Sequence, residues 1–208
     1  MQLPTKRLHF GKLLFDIWEN VYEPAEDTFF FAENINVPRG AKVLDIGTGS
    51  GILGIVAAEN ADNVLAIDLN PYAVRCAKAN AKLNSLSDKM AFMQASLFNA
   101  LKAEARFDVI LFNAPYLPSA KFEEQTWIER AWAGGANGRQ VIDPFISQSV
   151  VHLKPGGKVL LLQSTLADAQ ETIRRFQHVG LRANIKAEQT LAFFETLTLI
   201  EARSVCSS

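Results

Sequence analysis

The stretch DIGTGSGILG, residues 45–54, constrains this chain more than any other. It overlaps the apolar run KVLDIG (42–47), which reads as a buried strand, and opens into GILGIVAAENA (51–61), which has helical spacing. Gly47, Gly49 and Gly51 tolerate positive φ and put no Cβ between the backbone and a neighbour. A strand that turns tightly into a helix through such a loop is the opening of a β-α-β unit. Free N–H groups at the helix start can face an anionic or polar ligand there.

The rest of the chain repeats this alternation. NVLAID (63–68) is a second strand, and PYAVRCAKANAKLN (71–84) a helix with Pro71 in its first turn. MAFMQ (90–94) and FDVILF (107–112) are further strands. RQVIDPFISQSVVHL (139–153) has helical spacing, with Pro144 either kinking it or marking its start. KPGGK (154–158) is a turn, VLLLQS (159–164) a strand and LADAQETIRRFQHV (166–179) a helix. LRANIKAEQ (181–189) and FFETLTLIEA (193–202) carry strand signals and form a closing hairpin. Strands separated by helices give right-handed crossovers. The expected fold is therefore α/β: a doubly wound, mostly parallel sheet of seven strands with an antiparallel C-terminal hairpin, one domain over residues 1–208. Its ligand belongs at the carboxyl ends of the strands, near the switch point.

Two cofactors compete for the loop. Gly49-Ser50-Gly51-Ile52-Leu53-Gly54 fits the dinucleotide fingerprint, and Asp68 ends the next strand, where that fingerprint wants a ribose-binding acid. Asp45 separates the alternatives. A carboxylate two residues before the first glycine would repel a pyrophosphate and suits a cationic group instead. S-adenosylmethionine (SAM) offers such an ammonium, together with a ribose for Asp68, so SAM is favoured. Asp68 or Asn70 could also cap the helix that starts at Pro71. The D-x-G-x-G-x-G pattern resembles motif I of class I SAM-dependent methyltransferases, and LKPGGKVLL (153–161) resembles a turn found late in that fold. Such enzymes often place an acid after the next strand to meet the adenine amino group. This chain has Ser96 there, in MQASLF, whose hydroxyl makes a weaker neutral hydrogen bond.

NAPY, residues 113–116, follows the fourth predicted strand on the same edge as the glycine loop. It resembles the NPPY motif of methyltransferases that act on planar nitrogens. An amide nitrogen is a poor nucleophile because its lone pair is delocalised. The side-chain oxygen of Asn113 and the carbonyl of Ala114 could accept its two N–H bonds, orienting it and stabilising the positive charge that develops. Pro115 stiffens the loop, and Tyr116 offers a ring for a flat acceptor. Ala114 stands where NPPY has its first proline, keeping the carbonyl but not the locked φ. An expected loss of preorganisation of roughly 0.4–1 kcal/mol follows.

With VYEPAEDTFFFAENI (21–35) in front and ERAWAGGANGRQVIDPF (129–145) behind, the whole resembles the HemK-type release-factor glutamine methyltransferases from about Val21 to Glu201. The nearer likeness is to the archaeal and eukaryotic branch, which lacks the helical domain in front of the bacterial enzymes. In that family the acceptor is the glutamine of a release factor's GGQ loop. The resemblance implies that Thr28, Asp45, Gly47, Asp68 with Leu69, Ser96 with Leu97, and Asn113 reach SAM. Residues 1–35 would form an N-terminal segment and cofactor lid, shaped by Glu23, Pro24 and Glu26, ahead of a core over 36–208. Pro24, Glu26 and Asp27 also read as a plain helix start. Trp132 with Gly134, Gly135 and Gly138 could be a flexible surface loop. The long connection from Leu117 to Arg139 is expected to wall the acceptor pocket, with Arg139 structural or near the substrate backbone. The resemblance also implies a small zinc-binding activator protein. An apolar sheet edge near Met90–Gln94, with Met90, Phe92 and Gln94 alternating, is where such a partner would add a strand.

Charge narrows the alternatives. Lys+Arg 21 against Asp+Glu 22 makes no net case for nucleic acid or an anionic membrane, which disfavours the rival reading of a base-amine methyltransferase on DNA or RNA. A non-catalytic SAM-binding module is a further reading, with Ala114 and Ser96 as its support. An NAD oxidoreductase comes last, for want of a hydride partner. Two cysteines, Cys76 and Cys206, have no metal-like spacing and read as plain thiols. The first residues, MQLPTKRLHF, hold no apolar leader core, and the expected location is cytoplasmic.

Overall fold

A short antiparallel hairpin precedes the strands and helices expected from the sequence. β1 (Lys6–Phe10) and β2 (Leu13–Ile17) pair antiparallel across the tight turn at Gly11, whose φ is +57°. Leu13, Phe15 and Ile17 alternate inward, and Arg7 grips its cross-strand partner Asp16 at 2.6 Å. The computed structural model describes residues 4–119, 126–191 and 195–205. Cys206 and Phe193 lie outside them.

Two units follow from how the chain packs, Met1–Ala100 and Leu101–Ser208. The first holds the hairpin, α1 (Glu26–Glu33), β3 (Lys42–Ile46), α2 (Ile52–Ala58), β4 (Asn63–Asp68), α3 (Pro71–Leu83) and β5 (Met90–Gln94). β3, β4 and β5 run parallel, with Val43, Leu44, Ile46, Val64 and Ile67 almost wholly buried. α3 starts at the predicted Pro71, but its cap is Asn70, whose side chain accepts from the Tyr72 amide at 2.9 Å. Two asparagines on α3 then do what a strand would do. Asn84 Oδ1 accepts from the Leu14 amide at 2.9 Å and its Nδ2 donates to the Leu14 carbonyl at 2.7 Å. Asn80 makes the same pair of bonds to Asp16, at 2.8 and 3.0 Å. The spacing works because four helical residues advance about 6.0 Å and two strand residues about 6.8 Å. The free edge of β2 is thereby closed by side chains.

The second unit holds β6 (Phe107–Asn113), α4 (Trp127–Trp132), α5 (Ile142–Ser149), β7 (Leu153–Ser164), α6 (Ala169–His178), β8 (Leu181–Thr190) and β9 (Thr196–Ser204). β6 and β7 are parallel, and β9 runs antiparallel to both β7 and β8. The expected KPGGK turn is instead an irregularity inside β7. Pairing jumps from Phe107↔Leu153 to Val109↔Lys158, and Gly157 fits because a Cβ would come 3.0 Å from the Phe107 carbonyl. Pro144 marks the true start of its helix rather than a kink, falling in the first turn of α5. Phe145 of that helix stacks on Phe112 with ring centres 4.3 Å apart. Short α4 was not foreseen; Thr126 and Glu129 close it with a capping box.

All seven larger strands form one mostly parallel sheet in the order β5-β4-β3-β6-β7-β9-β8, the doubly wound arrangement with a C-terminal antiparallel hairpin. β5 and β8 stand at its ends. Among the described residues no helix is long and apolar enough to cross a membrane.

Gly54 gives a test of the α2–β3 packing. In an exposed helix Gly→Ala stabilises by about 1 kcal/mol, but a Cβ here would meet Asp45 Oδ2 at 2.9 Å and Met90 Cε at 3.1 Å. The expected outcome for Gly54→Ala is the opposite sign, a loss of about 1–3 kcal/mol in urea unfolding.

Candidate active site

The glycine loop is built around one buried carboxylate. Asp45, next to last in β3, is 0% exposed. Its Oδ2 accepts from the Thr48 hydroxyl at 2.6 Å and from the Gly54 amide at 3.0 Å. Its Oδ1 has no hydrogen-bond partner among the described residues. Burial lifts this acid to about 7, against the opposing pull of the Thr48 and Gly54 bonds. Gly47, Gly49 and Gly51 all have positive φ, at +67°, +55° and +90°. They differ in what they face. A Cβ on Gly51 would strike Ala77 Cβ at 2.9 Å, so this glycine serves helix packing, whereas one on Gly49 would meet open space. Gly49 therefore borders room for a ligand.

Asp68 reaches back from the end of β4 to the same loop. Its Oδ2 accepts from the Gly49 amide at 2.9 Å and its Oδ1 from the Asn70 amide at 2.8 Å. The two readings of Asp68 and Asn70 thus divide: Asn70 caps the helix, and Asp68 braces the loop. Burial raises Asp68, while the amides of Asn70, Gly49 and Leu69 oppose the shift. Each oxygen keeps acceptor capacity beyond these bonds, as a ribose diol requires. Leu69 beside it is 48% exposed, an apolar surface at a strand end. After β5, Ser96 is exposed and opens a turn closed by the Asn99 amide. Leu97 in that turn takes φ +48°, a conformation that costs a bulky residue about 1–3 kcal/mol. Thr28 is buried in α1 and donates from its amide and hydroxyl to Asp27 Oδ1, at 2.6 and 3.1 Å. Glu23 pairs instead with Lys6 of the hairpin. A buried Asp45 oxygen without a partner among the described residues, a Gly49 facing free space and a doubly braced Asp68 fit an ammonium-bearing nucleoside such as SAM.

The second set lies at the end of β6. Asn113, Pro115 and Tyr116 are half-buried, and Ala114 is 3% exposed. The Ala114 amide donates to the Leu162 carbonyl of β7 at 3.2 Å, so the pairing that includes Asn113 extends one residue beyond β6 to the second residue of the motif. Proline has no such N–H. The stiffness that alanine gives up in φ is replaced by a tie to the neighbouring strand.

Behind the motif, AGGANG is no flexible surface loop. Gly134, Gly135 and Gly138 are buried. A Cβ on Gly134 would come 2.7 Å from the Pro115 carbonyl, and one on Gly138 only 2.3 Å from that of Tyr116. Leu117 bridges to Ala133, with its amide bonded to the Trp132 carbonyl and its carbonyl to the Gly134 amide. Arg139 is structural. It is 6% exposed, pairs with Asp143 at 2.8 Å, and donates to the Ala167 and Asp168 carbonyls and to the Thr172 hydroxyl. Of the expected pocket-walling segment, residues 120–125 lie outside the described residues. Thr48 carries no signal of its own in the sequence, Gly54 stands out there only as part of the dinucleotide fingerprint, and the three glycines within residues 134–138 suggest flexibility where the structure uses them for close packing. Among the described residues no His, Cys, Asp and Glu side chains gather as a metal site.

The fold and this loop chemistry define a class I SAM-dependent methyltransferase. Residues 29–118 match the family of ribosomal protein L11 methyltransferases. Over 181 residues the chain is 39% identical to a Methanocaldococcus jannaschii protein assigned as a protein N5-glutamine methyltransferase, covering 86% of this chain and 90% of that one. It is 32% identical over 172 residues to the release factor glutamine methyltransferase of Rhodopirellula baltica, covering 74% of this chain and 58% of that longer one. A chain of the E. cuniculi Mtq2–Trm112 complex, responsible for methylation of the eRF1 termination factor, shares the fold with TM-score 0.70 at 24% identity, over 89% of this chain and 99% of that one. The chain belongs to the HemK-type protein glutamine methyltransferases.

Restoring the first proline of NPPY tests the Ala114 tie. Ala114→Pro removes the amide and strands the buried Leu162 carbonyl, at a cost of about 1–3 kcal/mol. The expected result is a lower melting temperature in calorimetry and a kcat no higher than that of the unmodified enzyme.

Proposed function

We propose that this enzyme transfers a methyl group from SAM to the side-chain amide nitrogen of a glutamine, that of the GGQ motif of a translation release factor. The observation that carries the reading is NAPY itself, braced from β7 and backed by glycines, in a chain 39% identical to a protein glutamine methyltransferase. When bound, SAM supplies an electrophilic methyl group on a sulfonium sulfur. Asn113 and the Ala114 carbonyl would accept the two N–H bonds of the amide and disperse the charge that grows as the nitrogen loses its conjugation. Pro115 and the backing glycines hold those acceptors still, and Tyr116 would flank the planar group. Both units, on this reading, serve one reaction as a single methyltransferase domain.

For the cofactor, Asp45 would hold the ammonium through its unpartnered oxygen and Asp68 the ribose hydroxyls, with Gly47, Gly49 and Gly51 giving the backbone close access. Leu69, Ser96, Leu97 and Thr28 complete the proposed set. A small zinc-binding activator is proposed to pair along β5, an end strand on which Phe92 and Met93 are only half-buried. The E. cuniculi chain of similar fold was solved in complex with Trm112, which supports a protein partner. Copurification with a candidate activator should fail for Phe92→Lys if β5 is the contact.

Asp45 makes a pH-dependent prediction. The acid is held neutral in the folded protein up to about 7, while the unfolded chain ionises near its ordinary value of 3.8. Its contribution to stability therefore falls as pH rises between those values. A bound ammonium favours the ionised form, so SAM binding at pH 6 should release nearly one proton. Calorimetry in buffers of different ionisation enthalpy should register that release, diminished by pH 8 and absent in Asp45→Asn.

Mass spectrometry of a purified release factor incubated with SAM, activator and this enzyme tests the acceptor. One methyl on the GGQ glutamine is expected, with a loss of about 10²–10³ in rate for Asn113→Ala. Methylation of RNA or DNA in its place would remove the glutamine assignment.

A further inference from the structure

Asn80 is wholly buried, and its one amide serves two separate pieces of chain. Oδ1 accepts from the Asp16 amide at 2.8 Å, and Nδ2 donates to the Asp16 carbonyl at 3.0 Å. The second hydrogen of the same Nδ2 goes to the carbonyl of Ser50, in the middle of the glycine loop, at 2.9 Å. Asn84, one turn on, holds the hairpin in the same way at Leu14, but its remaining bond goes to the Asn80 carbonyl at 2.8 Å and not to the loop. The two asparagines are thus matched in their grip on β2 and differ in their grip on Ser50. Ser50 is itself buried between Gly49 and Gly51, and its carbonyl lies in one rigid peptide plane with the Gly51 amide, which donates to the Thr48 carbonyl at 2.8 Å.

We infer that Asn80 is a positioning residue that couples docking of the N-terminal hairpin to the SAM-binding state of the glycine loop. The inference rests on the reading that this loop holds SAM. A ligand that fixes the loop fixes the Ser50 carbonyl, which restrains the Asn80 amide in the geometry that the hairpin needs. By reciprocity, opening the hairpin weakens the ligand site. Asn80→Ala leaves the Ser50 carbonyl and the Asp16 amide without their Asn80 partner, the Asp16 carbonyl keeping only the Cys76 thiol at 3.2 Å, whereas Asn84→Ala loosens the hairpin alone.

Hydrogen exchange and calorimetry on the full-length protein decide the matter. Saturating SAM should slow exchange of the Asp16 amide in the unmodified enzyme about tenfold or more. Asn84→Ala should keep that SAM-dependent slowing, and a SAM Kd within about twofold, despite a lower melting temperature. Asn80→Ala should lose the slowing and raise the Kd about tenfold. Equal rises in Kd for both variants, or an Asn80→Ala Kd like that of the unmodified enzyme, would overturn the inference. So would SAM binding without any protection of Asp16. If Asn80→Ala does not fold, the unmodified and Asn84→Ala arms carry the decision. An unmodified enzyme that binds no SAM would sink the cofactor reading first, and the inference with it.

Discussion

A carboxylate with one satisfied oxygen and one without a partner among the described residues holds this enzyme's glycine loop in shape. Asp45 pins Thr48 and the Gly54 amide from beneath, in a gap that exists only because Gly54 has no Cβ. Asp68 pins Gly49 from the next strand. Between these two acids the loop passes through three residues of positive φ without collapsing onto the sheet. Remove the first anchor and the helix behind the loop loses its seat on β3. The second anchor would then have nothing fixed to hold.

Much of this was legible in the residues. The alternation of strands and helices, the parallel sheet, the closing hairpin and the loop position all followed from apolar periodicity and from glycine, which mark local geometry strongly. Three things did not follow, each for a physical reason. The hairpin over residues 6–17 is short and finds its edge partner in two asparagine side chains about seventy residues away, a pairing that no local pattern announces. The KPGG segment looks like a turn because its residues are turn formers, yet strand pairing resumes on either side and absorbs it. The glycines at 134, 135 and 138 read as freedom and proved to be constraint, since the same missing Cβ serves flexibility in solvent and close packing in a core.

Ala114 shows how a departure from a motif is compensated. Judged by φ alone, alanine for proline loosens the acceptor loop. Judged by hydrogen bonds, it gains a donor that reaches Leu162 and prolongs the β6–β7 ladder into the site. Asn80 and Asn84 work in the converse direction, with side chains standing in for backbone. In both places the fold satisfies one geometric need by a different chemical means, so a motif is best judged by the contact it must make.

The glycine backing of NAPY has a consequence for how such an enzyme can diversify. Pro115 and Tyr116 are locked from behind at distances that tolerate no added atom, while in α4 Ala131 is exposed and the other side chains are half-buried. A change at Gly134 or Gly138 must move the backbone of Pro115 or Tyr116, so those two positions are closed to substitution for as long as the motif keeps its shape.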